Sequence, residues 1–230
     1  MREIVLDTET TGLDPLMGHR VVEIGCVELV NHIATGQHFH VYLNPERDMP
    51  AEAARVHGLT EEFLADKPVF AQVVDDFLTF IGDAPLIAHN ASFDINFVNA
   101  ELVRSGFLPL DKMRAIDTVQ IARRKFPGAP ASLDALCKRF GVDASARQLH
   151  GALLDAQLLA EVYLELRGGR QPGLAMDTLA AVTNATEETT GQAATPRSFR
   201  APRPHAATDE ELSAHKAFLD KLKDPIWRTN

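Results

Sequence analysis

IVLDTETTGLDP, residues 4–15, runs three strongly apolar residues into an acidic pair, Asp7 and Glu9, with one threonine between them. Ile4, Val5 and Leu6 in succession read as a strand buried on both faces. Side chains alternate along a strand, so Asp7 and Glu9 share one side, roughly 7 Å apart along the backbone. Two carboxylates beside a buried sheet repel each other and lose hydration, which is costly unless a positive charge sits between them.

Working outward, VVEIGCVELV (21–30) and QHFHVYLNP (37–45) read as the next strands of a meander. FAQVVDDFLTFIG (70–82) is amphipathic, with Val73, Val74, Phe77, Leu78 and Ile81 on one stripe. APLIAHN (84–90) is a short buried strand, SFDINFVNAELVRSG (92–106) a helix stopped by glycine, and MRAIDTV (113–119) a further strand. SLDALCKRFG and HGALLDAQLLAEVYLELRGG then supply helices that also end at glycine. A strand meander followed by strands interleaved with helices predicts an α/β domain over residues 1–169, a mixed sheet flanked by helices. Residues 185–207 are small, polar and proline-rich and cannot form a core, so 170–207 reads as a flexible linker. The chain turns amphipathic again from residue 208 to 230.

At 230 residues and 45% hydrophobic composition the chain can bury one sizeable core. The early charges Arg2, Glu3 and Asp7 argue against a signal peptide, and no apolar run is long enough to span a bilayer. Cys26 and Cys137 lack metal-ligand spacing and read as reduced core residues of a cytoplasmic protein. The net charge is −9, with −8 of it in residues 1–170, which argues against a protein that coats duplex nucleic acid with a basic face. It is compatible with a nuclease whose acidic site is neutralised by metal ions.

Two more carboxylates bear on the acidic pair. Asp94 follows the strand 84–90, where an α/β sheet presents its site, although a first-turn aspartate also suits a helix dipole. Asp155 edges the apolar stripe Leu158, Leu159 and Val162, and residues 150–166 contain no Lys or Arg to pair with it. His150 opens the same helical segment. Four carboxylates converging from a strand, a loop–helix junction and a later helix need hard cations, and oxygen ligands suit Mg²⁺ or Mn²⁺ rather than zinc. Two such ions can bind both the attacking and the leaving oxygen of a phosphodiester. A histidine beside them, titrating near working pH, can take the proton of the attacking water.

DTETTGLDP, HNASFD and HGALLDA resemble, in order and spacing, the three motifs of the histidine-type 3′–5′ exonucleases with four acidic residues, across almost all of residues 1–168. Within that superfamily HVYLNP, VHGLT, DKPVFAQV and the tail ATDEELSAHKAFLDKLKDPIWR look like the proofreading subunits of bacterial replicative DNA polymerases. The resemblance implies a ribonuclease-H-like five-stranded sheet and two divalent ions held by Asp7, Glu9, Asp94 and Asp155. It makes His150 the general base, sets Thr8 and Thr11 beside the terminal nucleotide together with Asp7, Glu9 and Asp155, and brings Glu52, His57 and Asn90 to the substrate. MPAEAARVHG departs from the family pattern before His57, so Glu52 reads equally well as an exposed helix residue.

The resemblance also implies partners: a single-stranded DNA 3′ end, the polymerase's catalytic (alpha) subunit, the sliding clamp and a small accessory subunit. In RQPGLAM (170–176), Gln171, Leu174 and Met176 resemble a clamp-binding motif, or else simply begin the linker. In the tail, Thr208 and Glu211 make a capping-box pattern, and Leu212, Phe218, Leu219 and Leu222 an apolar side, before Pro225, Ile226 and Trp227. Phe218 and Trp227 are the expected anchors on the polymerase. An acidic exonuclease that grips DNA weakly suits delivery by a tether, which raises its effective concentration. The competing readings are a free-standing RNA-trimming exonuclease of the same superfamily and a non-catalytic binding module. The long linker with its terminal helix disfavours the first, and five filled catalytic positions disfavour the second.

Overall fold

The computed structural model describes residues 1–145, 147, 149–169 and 207–221. The chain divides into two units, residues 1–176 and 177–230. In the first, strands β1 (Arg2–Thr10), β2 (Val21–Val30) and β3 (Ile33–Tyr42) are followed by helices α1 (Ala51–His57), α2 (Glu61–Leu64) and α3 (Phe70–Ile81). Then come β4 (Leu86–Ala88), α4 (Ala91–Arg104), β5 (Ala115–Asp117), α5 (Thr118–Lys125), α6 (Leu133–Phe140) and α7 (Ala152–Leu166). The five strands form one mixed sheet in the order β3-β2-β1-β4-β5, antiparallel through the meander and parallel from β1 to β5.

The alternation along β1 separates two cores. Ile4 and Leu6 enter the cluster with Phe70, Val74, Phe77 and the α4 residues Ile95, Val98 and Leu102. Val5 enters the opposite cluster, with Leu136, Cys137 and the α7 residues Leu159, Val162 and Tyr163. Both cysteines are buried and unpaired, as their surroundings predict.

Two polar devices fix the helices to the sheet. Glu101 of α4 receives Arg20 through both carboxylate oxygens, at 2.7 and 2.9 Å, and the Val21 N–H at 3.3 Å. On the other face the Tyr163 hydroxyl donates to buried Glu3 at 2.9 Å, and His32 lies 2.6 Å from the other Glu3 oxygen.

Gly25 of β2 stands opposite Asp7. A Cβ there would lie 2.3 Å from the backbone of Ala152 and Leu153, so only glycine lets the first turn of α7 settle on the sheet beside the acidic strand.

Three boundaries differ from expectation. β3 starts at Ile33 rather than residue 37, because a turn at Asn31 and His32, both with positive φ, already returns the chain. The strand expected over 113–119 is confined to Ala115–Asp117. There the Asp117 carboxylate accepts the Val119 N–H at 2.9 Å and starts α5, a helix the sequence reading passed over. His150 does not open α7: it lies in the preceding loop, Gly151 is the N-cap, and its own N–H donates to the Val56 carbonyl at 3.2 Å.

In the second unit α8 (Asp209–Leu219) has the expected capping box, with Thr208 N–H donating to Glu211 at 2.9 Å and Glu211 N–H to the Thr208 hydroxyl at 3.3 Å. Leu212 and Phe218 on it are exposed. Gln171, Leu174, Met176 and Trp227 lie outside the described residues.

Candidate active site

β1 and β4 run parallel, so the carboxyl end of β1 lies beside the β4–α4 junction, where open α/β sheets collect their functional groups. Asp7 and Glu9 project on the Val5 face, towards α7. Thr8 projects the other way, and its hydroxyl donates to Asp94 Oδ1 at 2.8 Å, drawing the first turn of α4 against the strand. A bulge follows Glu9, which pairs with Glu23 while Thr10 pairs with Val21. Such irregularities commonly re-aim side chains beside a site.

Asp155, one turn into α7, is buried on the same face. Ligand atoms of Glu9, His150 and Asp155 all lie within 4.8 Å of one another. Asp7 and Asp94 complete the acidic group, and all of these residues line one open cleft of about 1000 Å³.

The electrostatics describe a site short of positive charge. Burial pushes the Asp7 carboxyl well above its usual range, and the negative charges of Asp94, Glu9 and Asp155 push it further. Burial raises Glu9 to about 8, helped by Glu23, Asp155 and Asp94. Asp94 is also raised, first by burial, with the Thr8 hydroxyl bond opposing the shift. Carboxylates that resist ionisation when crowded together ionise readily once a cation is added, and oxygen donors suit a hard divalent ion. The donor set therefore fits the metal that the sequence calls for.

One cation in this site escaped the sequence reading. Arg147 grips Asp155 with a two-pronged ion pair, Nε to Oδ1 at 2.5 Å and Nη2 to Oδ2 at 2.7 Å. The buried salt bridge judged to lack a local partner thus exists. Its arginine lies three residues before His150, in the loop ahead of the segment 150–166.

The remaining expected substrate residues divide between two cavities. Asn90, left-handed at the N-cap of α4, lines the main cleft, and its N–H donates to Asp117 at 3.1 Å. Thr11, Glu52 and His57 line an adjoining pocket of about 550 Å³ that shares Thr8, Glu9 and Phe93 with the cleft. Glu52 is an exposed first-turn residue of α1. Thr11 is fully buried, its hydroxyl accepting the Arg20 N–H at 3.0 Å and meeting His19 Nδ1 at 3.2 Å, so it shapes the pocket wall.

His57 is buried, and its Nδ1 accepts the Leu59 N–H at 3.1 Å. Among the described residues its buried Nε2 has no hydrogen-bond partner. Burial lowers its pKa, which the nearby Thr10 backbone opposes without reaching ordinary bonding geometry. The neutral ring then carries its proton on Nε2, as a donor awaiting an acceptor. Phe93, which stands between the two cavities, was also missed by the sequence reading; an aromatic following the Asn-Ala-Ser turn was the available signal.

Residues 4–163 match the exonuclease family. The chain is 55% identical to the DNA polymerase III subunit epsilon of Rickettsia conorii, with 96% of each chain covered. It is 46% identical to that subunit from Escherichia coli, covering 99% of this chain and 97% of the relative. Among solved structures, exonuclease X in complex with 5′-overhanging duplex DNA superposes with a TM-score of 0.56 at 27% identity, covering 71% of this chain and 90% of that one.

Proposed function

This chain belongs to the exonuclease family and, within it, to the DNA polymerase III epsilon subunits, and on that premise we propose how its residues carry out the reaction. The chain is a 3′–5′ exonuclease, the proofreading subunit of a replicative DNA polymerase. Asp7, Glu9, Asp94 and Asp155 hold two divalent ions, Mg²⁺ or Mn²⁺. The observation that carries this reading is the convergence of Glu9, Asp155 and His150 within 4.8 Å at the end of a strand whose carboxyls are hard to ionise unaided.

When bound, the ions supply Lewis-acid stabilisation of the attacking and leaving oxygens. His150 sits in a loop and is half exposed beside Asp155, so it can reach a water in the cleft and take its proton. The open cleft admits the terminal phosphodiester. The adjoining pocket receives the end of the strand, where the Nε2–H of His57 donates to a substrate oxygen and Thr8, Thr11 and Glu52 bound the nucleotide, with Asn90 in the neighbouring cleft. The substrate is a single-stranded 3′ end, since a cleft this acidic gives a duplex backbone little to hold.

Helix α8, with exposed Leu212 and Phe218, is the dock for the polymerase's catalytic subunit, together with Trp227. Residues 170–207 form the tether, with Gln171, Leu174 and Met176 as a clamp contact. Residues 1–169 constitute the nuclease domain, on which a small accessory subunit could sit.

The test uses single-stranded DNA labelled at its 5′ end, and RNA of the same sequence for comparison. The full chain with Mg²⁺ should produce a ladder shortening from the 3′ end of the DNA, abolished by chelator. His150→Gln should slow it by about 10²–10⁴-fold while leaving Mn²⁺ binding intact. A variant within about threefold of the parent would make His150 structural, and faster trimming of the RNA would favour the RNA-processing reading.

A further inference from the structure

Arg147 holds more than Asp155. The same Nη2 that donates to Asp155 also donates to His150 Nδ1, at 2.8 Å, and Nη1 bonds to Asp134 in the first turn of α6. One guanidinium therefore engages a proposed metal ligand, the proposed base and an outlying carboxylate at once. The Arg147 side chain is only 9% exposed, whereas that of Asp134 is 72% exposed. Asp134 is thus a solvent-side anchor about which the arginine can turn.

We propose that Arg147 is a built-in counter-cation that holds Asp155 and His150 in place until a divalent ion displaces it. The proposal rests on the reading that Asp155 is a metal ligand. A planar fork on both oxygens of a carboxylate competes for the lone pairs a metal would use. A fixed positive charge within bonding distance of that carboxylate also opposes a second cation there. Both effects require the guanidinium to leave Asp155 as the ion enters, and the Asp134 contact gives it somewhere to go.

The consequence for His150 follows from the same atoms. A guanidinium has only donors, so Nδ1 must accept while Arg147 stays, which leaves the neutral ring's proton on Nε2. Once Arg147 withdraws, the half-exposed ring can give its Nε2 proton to water and take one on Nδ1, whose N–H then donates to Asp155 Oδ2, 3.2 Å away, and Nε2 becomes the open lone pair that takes the proton of the attacking water. Loading of metal and arming of the base are then a single event, coupled through one side chain. The arrangement also relieves the acidic cluster before metal arrives: Arg147 lowers the pKa of both Asp7 and Glu9, against the larger effect of burial.

The decisive measurement is Mn²⁺ affinity, read from the free-ion EPR signal, for the full chain and for Arg147→Gln, Arg147→Lys and Asp155→Asn. Arg147→Gln should bind Mn²⁺ roughly tenfold tighter, within the range of ordinary site-to-site couplings. In chelator it should melt lower than the parent, and saturating Mn²⁺ should close that gap. Arg147→Lys keeps the charge but loses the fork, so it should also bind tighter, by less, and it serves if the glutamine variant does not fold. Unchanged or weaker Mn²⁺ binding by the folded variant would overturn the proposal. If Asp155→Asn binds Mn²⁺ as well as the parent, the metal assignment itself fails, a result distinct from failure of the Arg147 proposal.

Discussion

Asp7→Ala, Glu9→Ala and Asp155→Ala will each lower the rate of nucleotide release by about 10³-fold or more, because each removes a ligand from a centre that contributes several kcal/mol to the transition state. None should unfold the protein. The three side chains stand in an acidic group in which the charges of Asp155 and Asp94 raise the pKa of both Asp7 and Glu9, and they add no apolar packing. The Asp155 variant differs in kind, since it also frees Arg147 from its two-pronged pair and leaves a mostly buried guanidinium with Asp134 and His150 alone. It should therefore lose thermal stability in chelator, while Asp7→Ala and Glu9→Ala gain it.

The pH dependence follows from Glu9, whose folded-state pKa rises from 4.5 to about 8. Between those values the folded protein binds more protons than the unfolded chain, so stability falls as pH rises. Without metal the parent should be most stable near pH 4.5 with respect to this group and lose that contribution progressively up to pH 8, whereas Glu9→Ala should show a flatter profile. Calorimetric melting across this window in chelator, alongside the exonuclease rate at saturating Mg²⁺, checks both halves. Near-parental activity in any of the three variants would remove that residue from the metal centre.

Gly25→Ala should damage both fold and activity through a single methyl group. Its Cβ would meet the backbone of Ala152 and Leu153 at 2.3 Å, and backbone in the first turn of a helix cannot swing aside as a side chain can. Overpacking of this kind costs up to about 3 kcal/mol. For a domain of this size that lowers Tm by roughly 6–12 °C. The relief available is to lift the start of α7, which carries Asp155 one turn further on and His150 just before it. A displacement of about 1 Å there is worth roughly 10²-fold in rate. Gly151→Ala is the steric control, because a Cβ at that position meets nothing within 4 Å and its φ of −157° is extended. Equal Tm and rate for Gly25→Ala and the parent would show that α7 is not seated by this contact.

The acidic strand was legible because its chemistry conflicts with its setting: Asp7 and Glu9 interrupt a run of buried apolar residues, and period-two alternation puts them on one face, where both line the cleft and the charge of Glu9 acts on Asp7. Helices with a clear apolar stripe, such as α3, and those closed by glycine, such as α6, were placed within a residue or two. α5 was not seen because Thr-Val-Gln-Ile continues the β-branched look of Ala115–Asp117, and only the Asp117 cap separates strand from helix. Arg147 was missed for a different reason. Its pairing with Asp155 spans eight residues across a loop, and such a contact has no helical or strand period to announce it. His57 is intermediate. Its motif marked it, but the tautomer that makes it a donor depends on the Leu59 N–H, which the turn at Gly58 delivers and the sequence alone does not.

The proposed chemistry depends on divalent ions bound among Asp7, Glu9, Asp94 and Asp155. Crystals soaked in Mn²⁺ and measured at the manganese absorption edge test this without reference to activity. The anomalous difference map should show its strongest peaks in the cleft, within coordination distance of the Asp7, Glu9 and Asp155 carboxylates, with Arg147 turned away from Asp155. Strong peaks elsewhere, or a Mn²⁺-saturated active protein with no peak among these carboxylates, would contradict the account.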